Sequence, residues 1–184
     1  MAQLTVFNFI TVNGAYKGPG GDIQWHRHGA EEQEYAAKGA NSPSTLLFGR
    51  KTYQMMASWW PTPMALQSMP DVARGMNASQ KIVFSRTLKK AAWENTRLIA
   101  TDPVRAIKRM KKDGKDPLTI LGSGSIVTLC AEHGLIDEYQ IMVDPVLIGS
   151  GTPIAKALTH HVDLRLVSHR VFTSGVVLLR YQPR

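Results

Sequence analysis

Cysteine is nearly absent from this chain: Cys130 is the single one in 184 residues. An internal disulfide and a cysteine-built zinc site are therefore excluded. Long apolar runs are missing too, and none approaches the roughly 20 residues that a membrane-spanning helix needs. The opening residues, Met1 to Ile10, lack the basic start and small-residue cleavage site of a secretory signal and read as a first strand. Repeats, linkers and low-complexity segments are absent, so the chain is expected to form one domain over residues 1–184. Acidic residues are in deficit, 14 against 22 Lys and Arg, for a formal net charge of +8. Such a surplus invites a nucleic-acid reading. Its densest run, Lys108-Arg109-Met110-Lys111-Lys112, closes a predicted helix, where cations suit the dipole. A solvated helix face accounts for it, and neither a nucleic-acid nor a membrane partner is expected. A basic cleft for a small anion remains open. The expectation is a cytoplasmic protein with a sizeable core, since 43% of its residues are hydrophobic.

What is present organises around Leu118-Thr119-Ile120-Leu121-Gly122-Ser123-Gly124-Ser125 and the apolar pattern that follows from Ile126 to Cys130. The pattern reads as strand, tight turn and helix. Backbone N–H groups at such a helix start stabilise an anion. Gly122 and Gly124 would let the backbone approach a phosphate closely. A plain glycine turn without a ligand is the alternative.

Along the chain, residues 4–10 alternate as a strand and residues 11–22 form a long loop. A helix is expected over 30–39, a short buried strand over 45–48, and a helix beginning near Arg50 and ending at Trp59-Trp60-Pro61. One further short helix is expected within 64–78, then strands over 81–84 and 97–100. Asp102-Pro103 opens a helix that runs to about Lys112. Strand 118–121 and helix 125–133 follow, then strand 138–143 and a glycine-rich loop over 144–152. Two long strands, 164–172 and 176–181, are joined by a turn at Thr173-Ser174-Gly175. Strand–helix alternation ending in a hairpin predicts an α/β protein with a mostly parallel central sheet and an antiparallel C-terminal edge.

Three predicted strands end in loops suited to anions: Gly49-Arg50-Lys51-Thr52, Ser85-Arg86-Thr87 and Gly122-Ser123-Gly124-Ser125. Parallel strands would bring all three to one sheet edge, where ligands of α/β sheets bind. One loop could take a diphosphate, while Arg50, Lys51, Ser85 and Arg86 could take a further phosphate. That count of charges points to NADPH rather than NADH. A Rossmann fingerprint fits poorly, because Val127 stands where its third glycine belongs and too little chain follows Asp144.

Taken in order, these motifs resemble the dihydrofolate reductase-like superfamily. They are closest to the branch named after the C-terminal reductase domain of the bifunctional riboflavin enzyme (RibD). The resemblance is carried by Thr11-Val12-Asn13-Gly14, Leu47 to Tyr53, Val83 to Leu88 with Trp93, Leu121 to Ser125, Gly134 to Tyr139, and Pro145 to Gly151. It implies a three-layer sandwich and an NADPH-dependent reductase, commonly dimeric. It places Asn13, Gly49, Arg50, Lys51, Thr52, Ser85, Arg86, Thr87, Gly122, Ser123, Gly124 and Ser125 at the cofactor. Two departures stand out. Riboflavin-pathway reductases carry Asp before the first-loop glycine, where this chain has Asn13. The single buried acid of dihydrofolate reductases has no clean match among Glu31, Glu32 and Glu34. Dihydrofolate is therefore not the expected substrate.

Reduction of a C=N or C=O bond needs a proton donor. Glu31 and Glu34, three apart on one helix face, are the candidates; acids that merely favour a helix start are the alternative. Trp25, Tyr53 and Met56 could wall the pocket of a planar substrate. His26 and His28 could form a metal pair but read as solvent-exposed, His160 and His161 read as loop, and no metal is expected. Cys130 reads as a buried small hydrophobe. The expected function is NADPH-dependent reduction of a small heterocyclic or ribosyl substrate, by a homodimer with apolar edge strands to cover. The alternatives are the 5-amino-6-(5-phosphoribosylamino)uracil reductase of riboflavin biosynthesis, a nucleotide-binding module without turnover and a basic nucleic-acid binder.

Overall fold

The computed structural model describes every residue of the chain except His28. The central strands are built from short runs buried on both faces. Strand β3 (Thr45–Gly49) and strand β4 (Lys81–Phe84) are almost wholly buried, as parallel strands covered by helices must be. Successive side chains go to opposite layers. Leu47, Ile82 and Phe84 join Leu4 and Val6 of strand β1 (Leu4–Thr11) under helices α5 (Pro103–Asp113) and α6 (Gly124–Glu132). Leu46, Phe48 and Val83 face the other way, onto helices α1 (Ala30–Ala40), α2 (Arg50–Trp59) and α4 (Pro70–Ala78). Burying side chains of this size stabilises the fold by about 1.5–3 kcal/mol each before chain entropy is counted.

The sheet takes in five more strands: β5 (Thr96–Ile99), β6 (Leu118–Leu121), β7 (Glu138–Asp144) and the hairpin of β9 (Leu164–Val171) and β10 (Val177–Pro183). The strand order is β5-β4-β3-β6-β1-β7-β10-β9. The first six run parallel, while β10 is antiparallel to both β7 and β9. The expected α/β sandwich with a terminal antiparallel hairpin is what the chain forms.

Two local departures have physical causes. The helix expected within 64–78 is two helices, α3 (Pro63–Ser68) and α4, because Met69 takes φ −140° before Pro70. A residue preceding proline is kept out of helical geometry by the ring's Cδ. The loops expected over 11–22 and 144–152 each contribute a short strand, β2 (Ala15–Lys17) and β8 (Thr152–Pro153), paired antiparallel. Strands this short carry no readable alternation. No helix among the described residues is long and apolar enough to cross a membrane.

Candidate active site

Strands β1, β3 and β6 end side by side, and two helices start there. Helix α2 begins at Arg50 directly after β3, and α6 begins at Gly124, with Gly122 and Ser123 between it and β6. Gly122 N donates to Phe7 O at 3.4 Å, Gly49 N to Ser123 Oγ at 3.0 Å, and Thr52 Oγ1 to Gly122 O at 3.2 Å. These bonds clasp the two helix starts together across 70 residues of sequence. Gly122 sits at φ +66°, and a Cβ there would lie 3.3 Å from Thr52 Cγ2. The backbone geometry itself calls for glycine.

Gly124 has a different reason to be glycine. A Cβ on it would meet Cζ and Oη of Tyr16 at 2.8 Å. The phenol end of Tyr16 rests on the first residue of α6, so close packing by a side chain, rather than by a phosphate, uses the space.

Neither helix start is capped by a side chain. The first turn of α2 carries no acid, yet Arg50 and Lys51 stand there exposed. Cations at the positive end of a helix cost about 0.3–1 kcal/mol each. A bound anion would reverse that sign.

These elements border a cavity of about 800 Å³. Its polar rim is Lys17, Arg50, Lys51, Thr52 and the turn Gly122 to Ser125; its apolar wall is Phe7, Phe9, Ile23, Met55, Met56 and Leu121. No carboxylate or imidazole is among the described residues that line it. The segment Gly18–Gly21 covers one side. Outside the lining, His26 Nδ1 lies 2.9 and 3.0 Å from the two carboxylate oxygens of Asp144, Arg27 N donates to Asp144 Oδ1 at 2.9 Å, and Phe9, which does line the cavity, packs on the imidazole at 3.7 Å.

Gly49, Arg50, Lys51, Thr52, Gly122, Ser123, Gly124 and Ser125 thus meet at one cavity. Ser85, Arg86 and Thr87 lie on the same sheet edge, one strand further out, and are not part of the lining. Ser85 Oγ accepts from Thr87 N and Leu88 N, which closes the turn after β4.

Several expected placements need correction. Asn13 does not line the cavity: its Nδ2 donates to Ile148 O at 2.8 Å and its Oδ1 accepts from Thr11 Oγ1 at 2.8 Å. It ties two loops together instead. Glu31 is turned to the terminal hairpin, where it accepts from Thr173 N and Thr173 Oγ1, both at 2.7 Å. Those bonds hold its carboxyl below the usual carboxylate range. Glu34 pairs with Lys38 at 2.6 Å, which lowers its pKa as well. Neither acid reaches the cavity or carries a proton to give at neutral pH. Tyr53 is buried core, packed on Phe48 and Trp93, with its hydroxyl accepting from Trp93 N at 3.0 Å. Trp25 stands edge-on to His26, away from the lining, whereas Met56 does line the cavity. His26 is buried rather than exposed, and His28 lies outside the described residues. His160 pairs with Glu132 at 3.1 Å and, with His161, borders a second cavity of about 620 Å³ away from this site. Cys130 is buried as expected, and burial pushes its thiol up to about 12.

Sequence reasoning missed Asn8, Tyr16 and Lys17, all of which line the cavity. Asn8 had left a signal: a lone amide in the middle of an apolar strand.

A parallel sheet ending in this cavity, closed by an antiparallel hairpin, is a dihydrofolate reductase-like fold. Enterococcus faecalis dihydrofolate reductase, solved with NADP(H) and RAB-propyl, superposes with a TM-score of 0.65 at 15% identity, covering 99% of this chain and 96% of that one. The chain belongs to the RibD C-terminal domain family, whose model matches residues 2–178. The uncharacterised protein YyaP of Bacillus subtilis (strain 168) is 25% identical over 173 residues, 94% of this chain and 90% of YyaP. The Thermotoga maritima diaminohydroxyphosphoribosylaminopyrimidine deaminase/5-amino-6-(5-phosphoribosylamino)uracil reductase is 14% identical with a TM-score of 0.72. All of this chain is covered there, against 57% of the Thermotoga chain. Membership of the family makes the chain an oxidoreductase.

Proposed function

We propose that the protein is an NADPH-dependent reductase of a small heterocyclic substrate. The observation that carries this reading is the pair of uncapped helix starts, clasped together and fronted by Arg50 and Lys51. The donor set fits a dinucleotide: N–H groups and the hydroxyls of Thr52 and Ser125 suit the diphosphate, and the cations suit a further phosphate. Arg50, with Arg86 on the neighbouring strand end, is assigned to the ribose 2′-phosphate. The nicotinamide, when bound, supplies the hydride. Phe9, Ile23, Met55, Met56 and Leu121 exclude water from the reacting ring and pack its faces. With no acid among the described lining residues, proton delivery is assigned to the Tyr16 hydroxyl, which stands at the start of α6 within the cavity. We read the protein as a cytoplasmic homodimer that binds no nucleic acid.

Titration with NADPH, NADH and duplex DNA at physiological salt tests the reading. Tight NADPH binding, weaker NADH binding and no DNA binding are expected. Equal affinity for the two nucleotides would remove the phosphate assignment, and DNA binding without nucleotide binding would overturn the whole. A screen of NADPH consumption against oxidised pyrimidine and pterin compounds then separates an enzyme from a module without turnover.

A further inference from the structure

Asn8 lies halfway along β1, between Phe7 and Phe9, in the central region of the sheet. It is 3% exposed, and its Oδ1 has no hydrogen-bond partner among the described residues. A buried amide oxygen without a partner is destabilising, and native proteins seldom keep one without a use. Its surroundings show where it points. Leu4, Val6 and Asn8 alternate on one face of β1, and the first two fill the core beneath Val127 and Cys130. Strand β6 stops at Leu121, opposite Phe7. On its other side Asn8 pairs with Ile141 of β7, but on the β6 side there is no strand, only the turn that leads into α6. Asn8 is among the residues that line the cavity. Packing alone would be served as well by valine or leucine at this position.

We propose that Asn8 is a specificity-determining residue whose amide oxygen accepts an N–H from the amide edge of the bound ligand, either a carboxamide or a ring lactam. The inference rests on the reductase reading and deepens it. An asparagine amide both accepts and donates, so it complements a group that offers N–H beside C=O. Two parts of a reductase complex have that chemistry: the carboxamide of a nicotinamide and the lactam of a pyrimidine. A site built around such a bond discriminates strongly against an analogue that lacks the N–H, because the buried oxygen is then left orphaned again.

The test is calorimetric titration of the wild type and Asn8→Ala with three probes. NADPH carries the carboxamide, its reduced 3-acetylpyridine analogue replaces that group with a methyl ketone, and 5,6-diaminouracil with NADP⁺ present carries a ring lactam. If Asn8 reads the carboxamide, the wild type prefers NADPH over the ketone by about tenfold or more, and Asn8→Ala loses the preference. If Asn8 reads the lactam, the variant treats both dinucleotides as the wild type does but loses about tenfold on the uracil. Wild-type affinities for all three probes in the variant overturn the proposal. Ligand-free Asn8→Leu supplies a readout that needs no ligand. Its melting temperature should rise, since an unpaired polar group leaves the interior; a fall would assign the amide to the fold and overturn the proposal. A wild type that binds neither dinucleotide ends the reductase reading, while the uracil titration and the melting temperature still decide the role of Asn8.

Discussion

Arg50 begins the helix after β3 and Arg86 lies in the turn after the adjacent β4, and both are exposed. Charge-assisted hydrogen bonds to a phosphate are worth about 1.5–3 kcal/mol, less where water competes. Arg50→Ala and Arg86→Ala should each weaken NADPH by roughly tenfold to a hundredfold and leave NADH nearly unchanged. Because Arg86 stands outside the cavity lining, it is the sharper probe. Equal loss of both nucleotides in one variant would move that arginine to the diphosphate or the scaffold. Tyr16→Phe keeps the ring against Gly124 and removes only the hydroxyl. NADPH affinity should hold within about twofold while turnover drops by 10²–10⁴, the usual worth of a positioned acid. Unaltered turnover would return proton delivery to Lys17, Lys51 or water.

Among the elements, α4 has an unusual C-terminal end. Buried Lys81, from the following strand, donates through Nζ to the carbonyls of Met76, Asn77 and Ser79 at 2.9, 3.0 and 2.6 Å and lies 4.5 Å from the Trp93 ring. Burial lowers its pKa to about 8 from an ordinary 10.5. Below pH 8 the folded and unfolded chains both hold the proton. Between about pH 8 and 10.5 the folded chain sheds it first, so this group adds stability as pH rises. Lys81→Met should lower urea-derived stability by about 1–3 kcal/mol at pH 7, because helix carbonyls lose their donor. The variant should also lack the alkaline rise that Lys81 gives the wild type. How much of this was legible in sequence follows from range. Asp102-Pro103 announces α5 because cap and proline act locally, and the Asp102 carboxylate does accept from Val104 N and Arg105 N. Gly49-Arg50-Lys51-Thr52 and Gly122 to Ser125 are legible because strand, turn and helix leave local marks. Lys81 is not: its run Lys81-Ile82-Val83-Phe84 reads as a strand with a solvated first residue, and only the packing of α4 and Trp93 shows otherwise. Glu31, Glu34 and Tyr53 misled for the same reason. Periodicity tells which residues share a helix face, but not whether that face meets the hairpin, the solvent or the cavity.

At the scale of the whole molecule, β9 ends the sheet with seven of its eight residues exposed. Leu166, Val167 and Val171 are 51, 43 and 64% exposed, a long unpaired edge of the kind that monomers blunt. Its cations Arg165 and Arg170 limit promiscuous pairing, while the apolar positions favour a covered state. Sedimentation at micromolar concentration should show a species of roughly twice 20.4 kDa. Leu166→Lys with Val171→Lys should return it to the monomer without loss of helix signal, and a wild type that sediments at 20.4 kDa contradicts the dimer.

The clasp between Gly49 and Ser123 has a consequence for the lifetime of the protein. The proposed anion cradle is drawn from segments that meet only when the sheet is complete, so on that reading an unfolded chain retains nothing for a dinucleotide to hold. Mass action then adds the whole of the binding free energy to the folded state, about 2.7 kcal/mol when free nucleotide stands at a hundred times its dissociation constant. A supply of reduced nucleotide would thereby govern how long each copy survives proteolysis as well as how fast it works.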